Sequence, residues 1–264
     1  MVDVLVAGFP RLLSGDDPTV WSILREDGQS PFILACDHAG NRLPKSLGDL
    51  GLPAGERQRH IAWDIGVAGL ARIMADALDA FTILQTYSRL VIDCNRPPEA
   101  KDSIAILSEL TAIPGNQALS PAARQMRLDE IFTPYHTALR RELDRRQKNK
   151  VPAVLIALHS FTPVFKGNSR PWHAGLLYNR DNRMAKAMIE QLEREGGLVI
   201  GDNQPYALGD DSDYTVPVHG ERRGIPHVEV EVRQDLIADE AGQRLWAERL
   251  GRILTSSWKA IVEG

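Results

Sequence analysis

The segment Ala153-Val154-Leu155-Ile156-Ala157-Leu158 carries no polar side chain and ends on His159-Ser160. A continuous apolar run of this length fits a strand covered on both faces, because a half-exposed strand alternates polar and apolar residues. Working outward, Phe32-Ile33-Leu34-Ala35-Cys36 has the same character, and Thr82 to Thr86 and Leu90 to Asp93 are further strand candidates joined through Tyr87-Ser88-Arg89. Helical patterns lie between them. His60 to Leu78 places Ile61, Ile65, Ala68, Leu70 and Ile73 near one face. Ser120-Pro121 supplies an N-cap and a first-turn proline for a long helix toward Gln147, interrupted near Pro134. Arg183 to Glu195 reads as a helix closed by Gly196-Gly197, after which Leu198-Val199-Ile200 restarts a strand. His227 to Val232 alternates polar with apolar, predicting a strand with one wet face, and Glu240 to Val262 predicts a terminal amphipathic helix. Strands separated by helices predict one α/β domain over residues 1–264, a three-layer α/β/α fold with a mixed, mostly parallel central sheet.

Composition narrows the function classes. The 31 Lys+Arg against 35 Asp+Glu leave a formal charge of −4, which gives no electrostatic case for nucleic acid or an anionic membrane. No stretch approaches the ~18 apolar residues of a membrane span, and Met1 to Pro10 has neither a basic start nor a long apolar run. Cys36 and Cys94 sit in apolar stretches where a free thiol packs as a small hydrophobe, so a reducing, cytoplasmic setting is expected. A phosphate-cradling glycine loop is absent, which sets a nucleotide-binding role aside.

Ligands on parallel sheets gather beyond the carboxyl ends of the strands. There the sequence places Asp37-His38-Ala39-Gly40-Asn41, Asp93-Cys94-Asn95-Arg96-Pro97, His159-Ser160 and Glu229-Val230-Glu231. Imidazoles hold a catalytic zinc, which usually takes three protein ligands and leaves a position for water. A carboxylate can move a proton, and an arginine forks onto a substrate carboxylate. Each feature also has a plainer reading: a histidine hydrogen-bonded at a strand end, a turn before a surface arginine, glutamates facing solvent, or a helical His60–Asp64 surface pair.

Six ordered segments turn these fragments into a resemblance. They are Asp37 to Asn41, Ala62-Trp63-Asp64-Ile65-Gly66, Ser88 to Pro97, Pro134-Tyr135-His136, Leu158-His159-Ser160 and Glu231 to Leu236. Together, from about His38 to Leu236, they resemble the N-formylglutamate amidohydrolase family. Asp93-Cys94-Asn95-Arg96 is more distantly similar to the Asp-Leu-Asn-Arg signature of zinc carboxypeptidases and aspartoacylase-type deacylases.

The resemblance implies a zinc-dependent hydrolase that cuts the amide of a small N-acyl amino acid, N-formyl-L-glutamate above all. It implies His38 and His159 as metal ligands and Glu231 as general base and acid, with Glu229 competing for that role. Asn95 and Arg96 would bind the substrate carboxylate, and Arg89 would polarise the carbonyl. The deacylases place a ligating glutamate where this chain has Asn41, so the third ligand is Asp64, with His60 as the runner-up. The long Asp202 to Arg223 connection would line the pocket through Tyr206, Tyr214, His219, Arg222 and Arg223, or else be a solvated surface loop. His136 is expected to pack or support rather than ligate. Two rival functions stand beside this reading: a deacylase or peptidase for other N-acyl amino acids or cell-wall peptides, and a non-catalytic small-molecule binding protein.

Overall fold

The computed structural model describes residues 11–263; the leader reading of Met1 to Pro10 therefore falls outside the described residues. The strands in chain order are β1 (Trp21–Leu24), β2 (Phe32–Cys36), β3 (Phe81–Gln85), β4 (Leu107–Ser108), β5 (Thr111–Ala112), β6 (Val154–Phe161), β7 (Val164–Phe165), β8 (Asn168–Ser169), β9 (Ala174–Leu177), β10 (Ile200–Asp202) and β11 (His227–Arg233). Seven of them form the central sheet in the order β1-β3-β2-β6-β11-β9-β10, while β4-β5 and β7-β8 are small hairpins beside it. Strands β3, β2, β6 and β11 run parallel; β1 and β9 join antiparallel, and β10 pairs parallel with β9. The helices are α1 (Val67–Leu78), α2 (Pro121–Arg127), α3 (Thr133–Asn149), α4 (Arg183–Arg194) and α5 (Glu240–Glu263).

The side-chain alternation of the central strands decides the layers. Leu34, Cys36, Ile156, Leu158, Val228 and Val230 pack against Leu70 and Met74 of α1, Met188 of α4, and Trp246 and Leu250 of α5. Ile33, Ala35, Ile83 and Leu155 face the other way, onto Phe132 and onto Tyr135, Leu139 and Leu143 of α3. Helices thus cover both faces, which gives the expected three-layer α/β/α fold. Further along this second face, Ala157 meets Leu208 and Val216 of the 203–223 connection. His159, Glu229 and Glu231 keep the same alternation, so the polar residues of β6 and β11 end up beneath that connection. Among the described residues no helix is long and apolar enough to cross a membrane.

Several sequence expectations are corrected. Leu90 to Asp93 is a run of turns, not a strand: Val91 N–H donates to Ser88 at 2.9 Å, and Leu90 and Val91 enter different apolar clusters. Residues 60–66 are also turns, and α1 begins only at Val67, after Gly66 takes φ +86°. The interruption near Pro134 is a π-helical segment, Leu128–Phe132, between α2 and α3; proline has no N–H to donate, and the wider turn absorbs the missing bond. Residues 198 and 199 precede β10 rather than belong to it. The predicted wet face of β11 is buried, because its glutamates look into a covered recess.

Two glycines fix the loops that carry the site. A Cβ on Gly40 would lie 2.1 Å from the Thr86 carbonyl oxygen, so only glycine lets the loop after β2 press against the exit of β3. Gly66, left-handed, would place its Cβ 2.1 Å from the Ile237 oxygen. Gly40→Ala and Gly66→Ala are each expected to lower stability by about 2 kcal/mol or more. Gly15→Ala, with nothing within 4 Å, should change little. Thermal unfolding of the three variants checks this; an unchanged Tm for Gly40→Ala would refute the close packing.

Candidate metal centre and active site

His38 leaves β2 one residue after Asp37, Asp64 sits in the turn before α1, and His159 lies within β6. The Asp64 backbone N–H donates to the His38 carbonyl at 2.9 Å, and Ser160 N–H donates to Asp64 Oδ2 at 3.2 Å, so three distant segments are tied together. All three side chains are buried. One ligand atom from each lies within 4.8 Å of the others.

Hydrogen-bond polarity shows what this group can hold. His38 Nε2 is 2.7 Å from Asp93 Oδ1. An ionised carboxylate has no proton to give, so Nε2 carries the hydrogen and the neutral ring presents a lone pair at Nδ1. Among the described residues that atom has no hydrogen-bond partner, and it faces Asp64 Oδ2 at 3.5 Å. His159 Nδ1 approaches the same oxygen at 2.8 Å. Without a cation, a proton on His38 Nδ1 relieves the repulsion between this atom and Asp64. Burial lowers the His38 pKa, but Asp93 and Asp64 outweigh it and raise the ring above its ordinary range. With a cation bound, the neutral ring would offer it the lone pair. Two imidazole nitrogens and a carboxylate are also the donor chemistry of a catalytic zinc, with Asp93 in the supporting position that orients a ligating histidine.

The charge balance agrees. Asp37, Asp64, Asp93, Glu229 and Glu231 are all buried here. Arg89 forks onto Asp93 Oδ2 through Nε at 3.0 Å and Nη2 at 2.6 Å, and its Nη1 lies 3.7 Å from Asp64 Oδ1. Burial, reinforced by neighbouring carboxylates, pushes Glu229 up to about 8 and Glu231 up to about 7. Burial would raise Asp64 too, but the His38 and His159 rings hold it below the usual carboxylate range. Arg89 and the protons favoured on Glu229, Glu231, His38 and His159, all four raised above their ordinary range, offset this cluster of carboxylates; a divalent ion would take the place of such protons.

Two recesses meet at this group and share Arg89, Arg96 and Tyr206 as wall. The inner one, about 190 Å³, is lined by His38, Asn95, His159, Glu229 and Glu231. The outer one, about 310 Å³, runs past Asp64 to His60, Glu109, Phe165 and Arg170. Glu231 Oε1 accepts a hydrogen bond from the Tyr206 hydroxyl at 2.7 Å, while Oε2 is buried with no partner among the described residues. Glu229 Oε2 accepts one from Asn95 Nδ2 at 3.1 Å. Asn95 Oδ1 is occupied by the N–H groups of Tyr214 and Thr215, which leaves one amide hydrogen for a ligand. Arg96 donates to the Ser212 carbonyl, with Nε 3.6 Å from Asp102.

The other candidates fall elsewhere. Asn41 donates to the Arg57 carbonyl and to Gln58, outside the three-residue group. His60 lines the outer recess, 3.4 Å from Glu109. Arg222 is exposed, and Arg223 pairs with Asp144 at 2.7 Å; both precede β11 and so sit at the opposite end of that strand from Glu231. Tyr214 packs on Phe132 and His136, and His219 stacks on His136 at 5.2 Å, so neither lines the recesses. His136 is buried, with Nε2 2.8 Å from the Cys94 carbonyl. Sequence reasoning gave no role to Asp37, Asp93 or Arg170. The first two lie inside the quoted motifs and were legible as neighbours of His38 and Asn95, whereas Arg170 follows β8 with no spacing to mark it.

The model of the N-formylglutamate amidohydrolase family matches residues 30–238, a span that contains all six motif segments. The chain belongs to this family. N-formylglutamate deformylase of Pseudomonas putida is 32% identical over 143 residues, covering 50% of this chain and 52% of that protein. The enzyme of the same name from Pseudomonas aeruginosa is 31% identical over 148 residues, covering 50% and 53%. The chain thus spans about half the length of the curated relatives it matches. Among solved structures, a gene product of Agrobacterium tumefaciens superposes with a TM-score of 0.92 at 33% identity, covering 95% of this chain and 99% of the other. N-formylglutamate amidohydrolase from Ralstonia eutropha shares the fold, with a TM-score of 0.63 at 19% identity over 93% and 98%.

The purified protein is expected to bind one divalent ion per chain. His38→Ala and His159→Ala should lose it, and chelation should lower the Tm of the wild type. Elemental analysis checks this; a full equivalent of metal in either variant would overturn the ligand set.

Proposed function

We propose that the chain hydrolyses the amide of a small N-acyl amino acid, N-formyl-L-glutamate first, to glutamate and formate, with zinc held by His38, Asp64 and His159. The observation that carries the reading is the buried Glu231 carboxylate, whose Oε2, without a partner among the described residues, shares the inner recess with His38 and His159 of that group. When bound, the ion supplies Lewis acidity to a water and to the acyl oxygen. Glu231 Oε2 takes the proton of the attacking water and returns it to the leaving nitrogen. The Tyr206 hydroxyl, donating to Oε1, holds that carboxylate in place.

Arg89 keeps its fork on Asp93 and leaves Nη1 to meet charge developing on the acyl oxygen. A preorganised donor of this kind contributes ~3–4 kcal/mol. Arg96 and the spare amide hydrogen of Asn95 anchor the α-carboxylate. Asn95 also fixes Glu229, which makes Glu229 a support for the floor of the recess and Glu231 the proton carrier. The buried free thiols Cys36 and Cys94 suit a cytoplasmic location.

Formate release from N-formyl-L-glutamate, with and without chelator, tests the reaction; activity untouched by complete metal removal would sink the zinc assignment. Glu231→Gln is expected to keep the metal and lower kcat about 10²–10⁴-fold. Should that variant stay active while Glu229→Gln is dead, the two glutamates exchange roles.

A further inference from the structure

Arg170 stands at the mouth of the outer recess, just after β8. Its backbone N–H donates to the Pro163 carbonyl at 2.8 Å, closing the β7-β8 hairpin. Its guanidinium carbon lies 4.6 Å from the centre of the Phe165 ring and 5.5 Å from the centre of the Tyr206 ring. Of the other two arginines lining this recess, Arg89 is forked onto Asp93, and Arg96, beside Ser212 and Asp102, is the one given to the α-carboxylate above. Among the described residues the side chain of Arg170 makes no hydrogen bond, and no carboxylate oxygen lies within 4.0 Å of its nitrogens. Nearby Glu109 is taken up by Arg59 at 2.5 Å and by the Lys166 N–H at 3.2 Å.

We infer that Arg170 is a specificity residue that receives the second carboxylate of a dicarboxylic N-acyl amino acid; the inference rests on the hydrolase reading above. Aromatic faces hold a guanidinium by its charge and leave its N–H donors unused. The planar fork matches a carboxylate through two parallel hydrogen bonds. Position supports the assignment as well. The Tyr206 hydroxyl is bonded to Glu231 while the same ring lies beside Arg170, so a single aromatic ring separates the proton carrier from the free guanidinium. A substrate whose scissile amide lies beside Glu231 and whose α-carboxylate is on Arg96 would direct an amino-acid side chain along this wall. A side-chain carboxylate would meet the fork; a neutral side chain would leave it facing water.

The test compares wild type, Arg170→Gln and Arg170→Lys on N-formyl-L-glutamate and N-formyl-L-glutamine. In Arg170→Gln, KM for the glutamate substrate should rise at least tenfold more than KM for the glutamine substrate, with kcat for the glutamate substrate within about threefold of wild type. Arg170→Lys, which keeps charge but loses the fork, should fall between. Equal losses on both substrates would make Arg170 a structural part of the wall, and no change in either would leave it idle; each outcome overturns the assignment. Calorimetric titration with L-glutamate and L-glutamine separates this inference from the reaction itself. If no formyl substrate is turned over but glutamate binding still weakens tenfold or more in Arg170→Gln, the reaction falls and the carboxylate assignment stands. If turnover is intact but selectivity in the variant matches wild type, the reverse holds.

Discussion

One carboxylate, Asp64, is the point on which three separate parts of the chain converge. Its main-chain N–H holds the loop after β2, its Oδ2 receives the Ser160 N–H of β6, and the same oxygen faces both imidazoles. A buried charge of this kind is tolerated only when surrounded by compensating groups. The compensation here extends outward: His38 turns to Asp93, Asp93 is held by Arg89, and Arg89 reaches back toward Asp64. The ring of contacts closes on itself, so each member sets the orientation of the next. Such a network has a defined geometry before any ligand arrives, which is what a catalytic metal site requires.

The parallel strands explain why the network forms where it does. Strands β2 and β6 pair in parallel as far as Ala35 and Ala157, so His38, just past the end of β2, lies against His159 within β6, and β11 lies next to β6 with Glu231 in register with His159. Equal side-chain periods then put His159, Glu229 and Glu231 on one face. The 203–223 connection closes over that face, contributing Tyr206 to Glu231 and the Tyr214 and Thr215 N–H groups to Asn95. On the proposed reading, the sheet holds the proton carrier rigidly and the loops shape what can enter.

Much of this was legible in the chain because burial on both faces leaves an unbroken apolar record. Segments 32–36 and 154–158 could hardly be anything but inner strands, and the ligand candidates follow from what ends them. Leu90 to Ile92 misled for the same reason: three apolar residues in a row satisfy separate clusters from a turn as readily as from a strand. The glutamates of β11 resembled a wet face because alternation records only that a face is polar, not whether water or a recess lies against it. Strands β1 and β9 gave weaker signals, being short, with Gly175 breaking the pattern of the second. Arg222 and Arg223 were placed by loop membership alone, although the connection travels the length of the sheet before β11 begins. Arg170 left no trace, since its environment is made by Phe165 and by Tyr206 from a distant segment.

The Asn95 side chain joins floor and roof of the inner recess through opposite ends of one amide: its nitrogen donates downward to Glu229 and its oxygen accepts from the covering connection. Chemical ageing acts on this kind of group, because loss of ammonia converts the amide to an acid. The roof would keep its acceptor, but the donor to Glu229 would be replaced by a second negative oxygen. Deamidation at this one position would therefore bury a second negative oxygen against Glu229, undo the join between floor and roof, and lower the stability of the fold around the recess.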